Sequence, residues 1–170
     1  LKGDGRPILG LDSKELLIFV SYISQEAFLI PALAWTPWFS VFGSNSGFDT
    51  LEECFDELTS LIPAIETGLS SDPAMNWRLS QLDKVAIISN SDSHSLPKIG
   101  REANAFCGES ISYQLIMEAI KNASIKKLEA RDNSKDKLRL EFTIEFFPEE
   151  GKYHFDGHRA HKVVYNPKET

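Results

Sequence analysis

Asp92 and His94 stand two residues apart directly behind the apolar run Val85-Ala86-Ile87-Ile88, in the stretch Ser89-Asn90-Ser91-Asp92-Ser93-His94. Such a run reads as a buried strand. Open α/β sheets and barrels keep their sites at the carboxyl ends of their strands, so Asp-x-His there offers two metal-ligand side chains at one rim. Carboxylate and imidazole together suit zinc or manganese. The same residues also suit a plain turn whose Asp caps the next segment. Glu66 ends a second apolar run, Ala64-Ile65-Glu66, in the same way. Side-by-side strands would bring it to the rim of Asp92 and His94 as a third donor; its other role is to cap a neighbouring loop.

Lys98 and Arg101 follow closely. They offer charge-assisted donors for phosphate, or the ordinary charges of an exposed loop. Trp35, Trp38 and Phe39 surround Pro37. Packing beneath a loop is their simplest role, and their rings also suit stacking on an extruded base, worth ~1–3 kcal/mol per base in single-strand binders. His154, His158 and His161 cluster without a cysteine near them, as a polar surface tail or as metal donors.

The elements that must position these groups are legible from caps and periodicity. Asp12, with Glu15 three residues on and Leu11 and Leu16 as a staple, opens a helix over residues 13 to 24 with Leu16, Leu17, Val20 and Ile23 on one face. Ala27-Phe28-Leu29-Ile30-Pro31-Ala32 then reads as a buried strand. Asp49 caps a second helix bearing Leu51, Cys54, Phe55 and Leu58, before the strand ending at Glu66. Asp72-Pro73 opens a third helix, running through Trp77, ahead of a strand at 84 to 89. Three helix-to-strand steps favour parallel strands covered by helices, an α/β class with the plan of a partial barrel. Beyond it, Ala103-Asn104-Ala105-Phe106-Cys107 reads as a strand, and Ser112 caps a helix that buries Leu115, Ile116, Ala119 and Ile120. Residues 129 to 137 form a polar connection, and strand-like alternation returns at 138 to 147.

With 170 residues and 42% hydrophobic content, the chain has enough material for one core. No apolar run approaches the ~18 residues that span a bilayer, and no basic-then-apolar leader opens the chain, so a cytoplasmic protein without membrane contact is expected. Cys54 and Cys107 are far apart, as expected of reduced, buried thiols. The net charge of -7 weighs against a uniformly basic nucleic-acid surface, yet residues 121–170 carry 11 Lys and Arg against 9 Asp and Glu, while residues 1–120 carry 7 against 16.

Four stretches carry a resemblance. Ala32-Leu33-Ala34-Trp35-Thr36-Pro37-Trp38-Phe39-Ser40, Ala64-Ile65-Glu66-Thr67-Gly68-Leu69-Ser70-Ser71-Asp72, Ser91-Asp92-Ser93-His94 and Glu145-Phe146-Phe147-Pro148-Glu149-Glu150-Gly151-Lys152-Tyr153-His154 resemble, in order and spacing, the second half of a PHP-domain phosphoesterase. Within that superfamily they look most like the endonuclease Q branch, which nicks DNA beside deaminated bases. The resemblance runs from Gly3-Asp4-Gly5-Arg6-Pro7 to Pro167-Lys168-Glu169-Thr170. It implies a part of a distorted β/α barrel of PHP type over residues 1–150, then a polar tail over 151–170 leading towards a zinc ribbon whose first Cys would fall near His161. It also implies Glu66, Asp92 and His94 as ligands of a divalent metal, zinc or manganese, with DNA as the partner of the intact protein. Metals so held polarise phosphate and lower the pKa of a bound water towards ~7.

Two departures accompany it. The His-x-His and the further ligands with which PHP enzymes open would lie upstream of the matched stretch, and Leu33 stands where related sequences carry a metal-ligating His. The chain alone is therefore expected to be inactive, with open barrel edges able to self-associate. Two other functions stay open: a PHP-type phosphatase of small phosphate monoesters, favoured by the acidic balance, and a catalytically silent scaffold or interaction domain, favoured by Leu33.

Overall fold

Side-chain caps decide where the helices begin. The computed structural model describes residues 8–124 and 137–154, and the backbone alone of the strands Asp156–His158 and Val163–Tyr165. His161 and nearly all of the connection at 129–137 fall outside these residues. Asp12 Oδ1 accepts the Glu15 N–H at 2.7 Å and starts α1, Ser13–Ile23. The second cap is Thr50, not Asp49. Thr50 Oγ1 accepts the Glu53 N–H at 3.0 Å to start α2, Leu51–Phe55, while the Asp49 N–H donates to the Glu53 carboxylate at 2.9 Å. Thr50 and Glu53 thus satisfy two backbone donors between them, leaving no capping role for the Asp49 side chain. Asp72 caps α3, Pro73–Asn76, through the Met75 N–H at 2.7 Å, with proline where a missing donor costs nothing. Ser112 caps α4, Tyr113–Lys121.

Strand β1, Ala64–Glu66, pairs in parallel with β2, Ala86–Ile88, in the register Ala64 to Ala86 and Glu66 to Ile88. Alternation along both strands divides the core. Ile65 and Ile87 face one cluster with Leu17 of α1 and Leu51 and Phe55 of α2; Ala64, Ala86 and Ile88 face another with Ile120 of α4 and Leu140. A sheet covered on both faces needs unbroken apolar strands, which is why these runs do not alternate in polarity. Strand β3, Ala103–Cys107, pairs antiparallel with β4, Arg139–Ile144, with an irregularity between Ala105 and Phe106. Strands β5, Asp156–His158, and β6, Val163–Tyr165, form a third, antiparallel pair, so part of the expected tail is paired structure that includes His158.

Three further expectations need correction. Residues 27 to 32 form no ladder strand. Pro31 has no N–H, and Leu33 adopts a positive φ of 49°, so only two backbone bonds tie this segment to β1, from Glu66 N to Pro31 O and from Ala34 N to Glu66 O. The parallel sheet of the described residues is therefore two-stranded, and no closed barrel forms among them. On α1, Leu17 is buried but Ile23 is exposed, because only one edge of the helix meets α2. Cys54 is buried and Cys107 exposed, and both are free thiols. No helix of the described residues is long and apolar enough to cross a membrane.

Candidate functional site

The carboxyl ends of β1 and β2 lie side by side, held by a bond from Thr67 N to Ile88 O at 3.1 Å. Glu66, the last residue of β1, is only 6% exposed. Its Oε1 accepts the Asn90 side-chain amide at 2.9 Å and its Oε2 accepts the Leu33 backbone N–H at 2.8 Å. Leu33 reaches this position through its left-handed backbone, and its side chain lies against Gly68. Gly68 has φ +70°, and a Cβ there would sit 3.0 Å from Leu33 Cδ2. The position that the family resemblance assigns to a lost ligand thus gives Glu66 a backbone donor.

Beyond β2 the chain is fixed at Ser89. Asn104 of β3 accepts the Ser89 N–H at 3.0 Å, donates to the Ser89 carbonyl at 2.7 Å and reaches Asn90 Oδ1 at 3.1 Å. The loop then turns at Asp92, whose φ is +43°. His94 Nδ1 donates to the Asp92 carbonyl at 2.9 Å and lies 3.9 Å from the Asp92 carboxylate, with the ring 53% exposed. Arg101 Nε donates to the Ser91 carbonyl at 2.8 Å, and its guanidinium lies 5.7 Å from the centre of the Phe146 ring. Lys98 is exposed on the short 3-10 turn Leu96–Lys98.

The structure brings Glu66 and the Asp92 loop to one rim, bridged by Asn90. Among the described residues, however, no three His, Cys, Asp or Glu side chains gather closely enough to hold a metal ion. Glu66, Asp92 and His94 have the donor types for zinc or manganese, but as placed here they do not form a shell. The aromatic candidates separate. Trp35 stacks on Phe42 at 4.7 Å and donates Nε1–H to the buried Asn76 Oδ1 at 2.7 Å, packing half-buried against the core. Trp38 is 56% exposed, and Phe39 beside it has a positive φ of 58°.

Two acidic residues at the same rim were not among the site candidates. Glu102 precedes β3 and is 3% exposed; Glu145 follows β4. Burial pushes the Glu102 carboxyl up to about 7, with the Glu145 and Glu66 charges adding to the rise and bonds from Ser89 and the Phe146 N–H opposing it. Burial also raises Glu145, against hydroxyls of Thr143, Ser89 and Thr67. A local sequence signal existed, since each carboxylate flanks a strand, Glu102 before β3 and Glu145 after β4. Their proximity, though, depends on the β3–β4 register.

The comparisons with known proteins fit this geometry. The lesion-specific endonuclease PfuEndoQ of Pyrococcus furiosus superposes on 98% of this chain with a TM-score of 0.75 and 26% sequence identity, the match covering 37% of the endonuclease chain. The chain resembles endonuclease Q in structure. Uncharacterized protein YqxK of Bacillus subtilis is 40% identical over 99 residues, 58% of this chain and 25% of the relative. Uncharacterized protein MJ0043 of Methanocaldococcus jannaschii is 32% identical over 98 residues, 54% of this chain and 12% of the relative. The chain thus spans a quarter or less of the curated relatives it matches. No protein-family profile matches it.

Proposed function

We propose that this chain is part of a metal-dependent phosphoesterase that nicks DNA at deaminated bases, within a distorted β/α barrel of PHP type to which β1 and β2 contribute parallel strands. The observation that carries it is the fold-wide likeness to a lesion-specific endonuclease, a TM-score of 0.75 over 98% of the chain. Glu66, Asp92 and His94 are the donors this chain offers to a zinc or manganese site, and further donors must come from outside the described residues. Asn90 and the Leu33 N–H orient the Glu66 carboxylate, as partners behind a ligand commonly do. Arg101 holds the Asp-x-His loop through the Ser91 carbonyl and, with Lys98, puts positive charge beside it for a DNA phosphate. Trp38 is the exposed ring available for stacking on a base; Trp35 packs against Phe42 and the core instead.

A second reading, a catalytically silent scaffold, is favoured by one observation: Leu33, where the resemblance expects a metal-ligating His, presents an aliphatic side chain that lies against Gly68. Incubating the full-length protein, with manganese or zinc, on inosine- or uracil-containing duplex, on undamaged duplex and on a generic phosphomonoester separates the alternatives. Nicking confined to the damaged duplex supports the endonuclease. Turnover of the monoester alone points to a small-molecule phosphatase, and no turnover of any substrate to the scaffold.

A further inference from the structure

Ser89 lies between two carboxylates and has one hydroxyl proton to give. Its Oγ donates to Glu145 Oε2 at 3.2 Å, as the Thr67 hydroxyl does at 3.4 Å, while Glu102 Oε1 accepts the Phe146 N–H at 3.3 Å. The register of β3 against β4 pairs Ala103 with Ile144, and one further step sets Glu102 opposite Glu145. Like charges directly opposite each other on paired strands repel, and burial removes the solvent that would screen them. Glu102 is buried with its Oε2 lacking any hydrogen-bond partner, and Glu145 Oε1 is likewise buried without one. The charged groups facing the pair are acidic: Glu66 at the end of β1 acts on Glu102, and Asp72 at the start of α3 acts on Glu145. Arg101, next in the chain, is turned to the Ser91 carbonyl and the Phe146 ring.

We infer that Glu102 and Glu145, set opposite each other by the β3–β4 register with an unpartnered buried oxygen on each, share a single proton and act as a positioning pair for the end of β2. A proton held on Glu102 leaves the Ser89 and Thr67 hydroxyls to donate to the Glu145 carboxylate, and moving that proton to Glu145 leaves Glu102 ionised, with charge and atoms conserved. Loss of the shared proton leaves two facing buried carboxylates that repel, and loosens the strand end from which Asn90 reaches Glu66. The pH at which Glu102 loses its proton, about 7, places that change near neutrality. The acid pair stands whether or not the chain cuts DNA.

The test is thermal unfolding of the chain between pH 5 and pH 8.5, in chelator, for the native protein and for Glu102→Gln, Glu145→Gln and Ser89→Ala. Carbon-13 NMR of glutamate-labelled native chain runs alongside and does not depend on any variant folding. The expected result is a native melting temperature that falls by several degrees between pH 6 and pH 8. Glu102→Gln keeps the size of the side chain without its titrating proton and should flatten that fall, and one or two side-chain carboxyl carbons should titrate near pH 7. An unchanged pH profile in Glu102→Gln overturns the inference, as does titration of every glutamate in the ordinary range. So does a manganese-induced stabilisation of the native chain that Glu102→Gln abolishes, since the pair would then hold a metal and not a proton.

Discussion

Glu66 gives both carboxylate oxygens to protein donors, so its removal has a structural consequence separate from any catalytic one. Glu66→Ala leaves the Leu33 N–H and the Asn90 amide without their acceptor in a buried setting, and should destabilise the chain by ~1–3 kcal/mol. Urea denaturation measures this; an unchanged midpoint would mean that water replaces the carboxylate at no cost. At Glu102 the sign follows from the direction of the shift. A carboxyl raised in the folded state favours folding below its unfolded value of 4.5, and that contribution is lost as pH rises through about 7. The difference corresponds to at most ~3 kcal/mol, and less where the group relaxes towards solvent. Asp92 and His94 stood out as candidates because their donor types lie within one short stretch behind an apolar run. Glu102 and Glu145 were not singled out as a pair, because a distant antiparallel register brings them together. Trp35 was legible as an aromatic beside the rim, but its bond to Asn76 and its stacking on Phe42 depend on tertiary packing.

The ends of β1 and β2 are each held by a device that the strand itself does not supply. Asn104 takes both backbone groups of Ser89, so Asn104→Ala should cost ~1–3 kcal/mol. It should also raise hydrogen exchange at Ser89 and Asn90 while the β1–β2 ladder stays protected; exchange that leaves these amides unchanged would contradict the clamp. On the β1 side, Gly68 needs its left-handed backbone and an open approach to Leu33, so Gly68→Ala should destabilise by about 1–3 kcal/mol, read by thermal unfolding. The helices were well anticipated because capping is local: Asp12, Asp72 and Ser112 cap as their sequence context indicates. Thr50 displaced Asp49 because hydroxyl and carboxylate caps compete within one residue. The third parallel strand failed for a reason visible only in the fold, since Pro31 lends its carbonyl to Glu66 but has no N–H with which to continue a ladder.

At the scale of the molecule, apolar runs and helix-to-strand steps announced an α/β core, and the paired strands β1 and β2 between two hydrophobic clusters realise it. The antiparallel arm β3–β4 was not read as a pair, because the intervening chain is long and its turn carries no hairpin signature. Charge is divided along the chain, acidic through residue 120 and weakly basic after it. A DNA contact would therefore be local, and its affinity in the full-length protein should fall with added salt by a modest slope. The central claim concerns Asp92 and His94 at the rim beside Glu66. Its most direct test is single-turnover nicking of inosine-containing duplex by the full-length protein with manganese, comparing the native protein with Asp92→Ala and His94→Ala variants shown to fold by their melting curves. The account predicts nicking by the native protein and at least a hundredfold loss in each variant, a collapse on the scale of removing a metal ligand. Native-like nicking by either folded variant would contradict it.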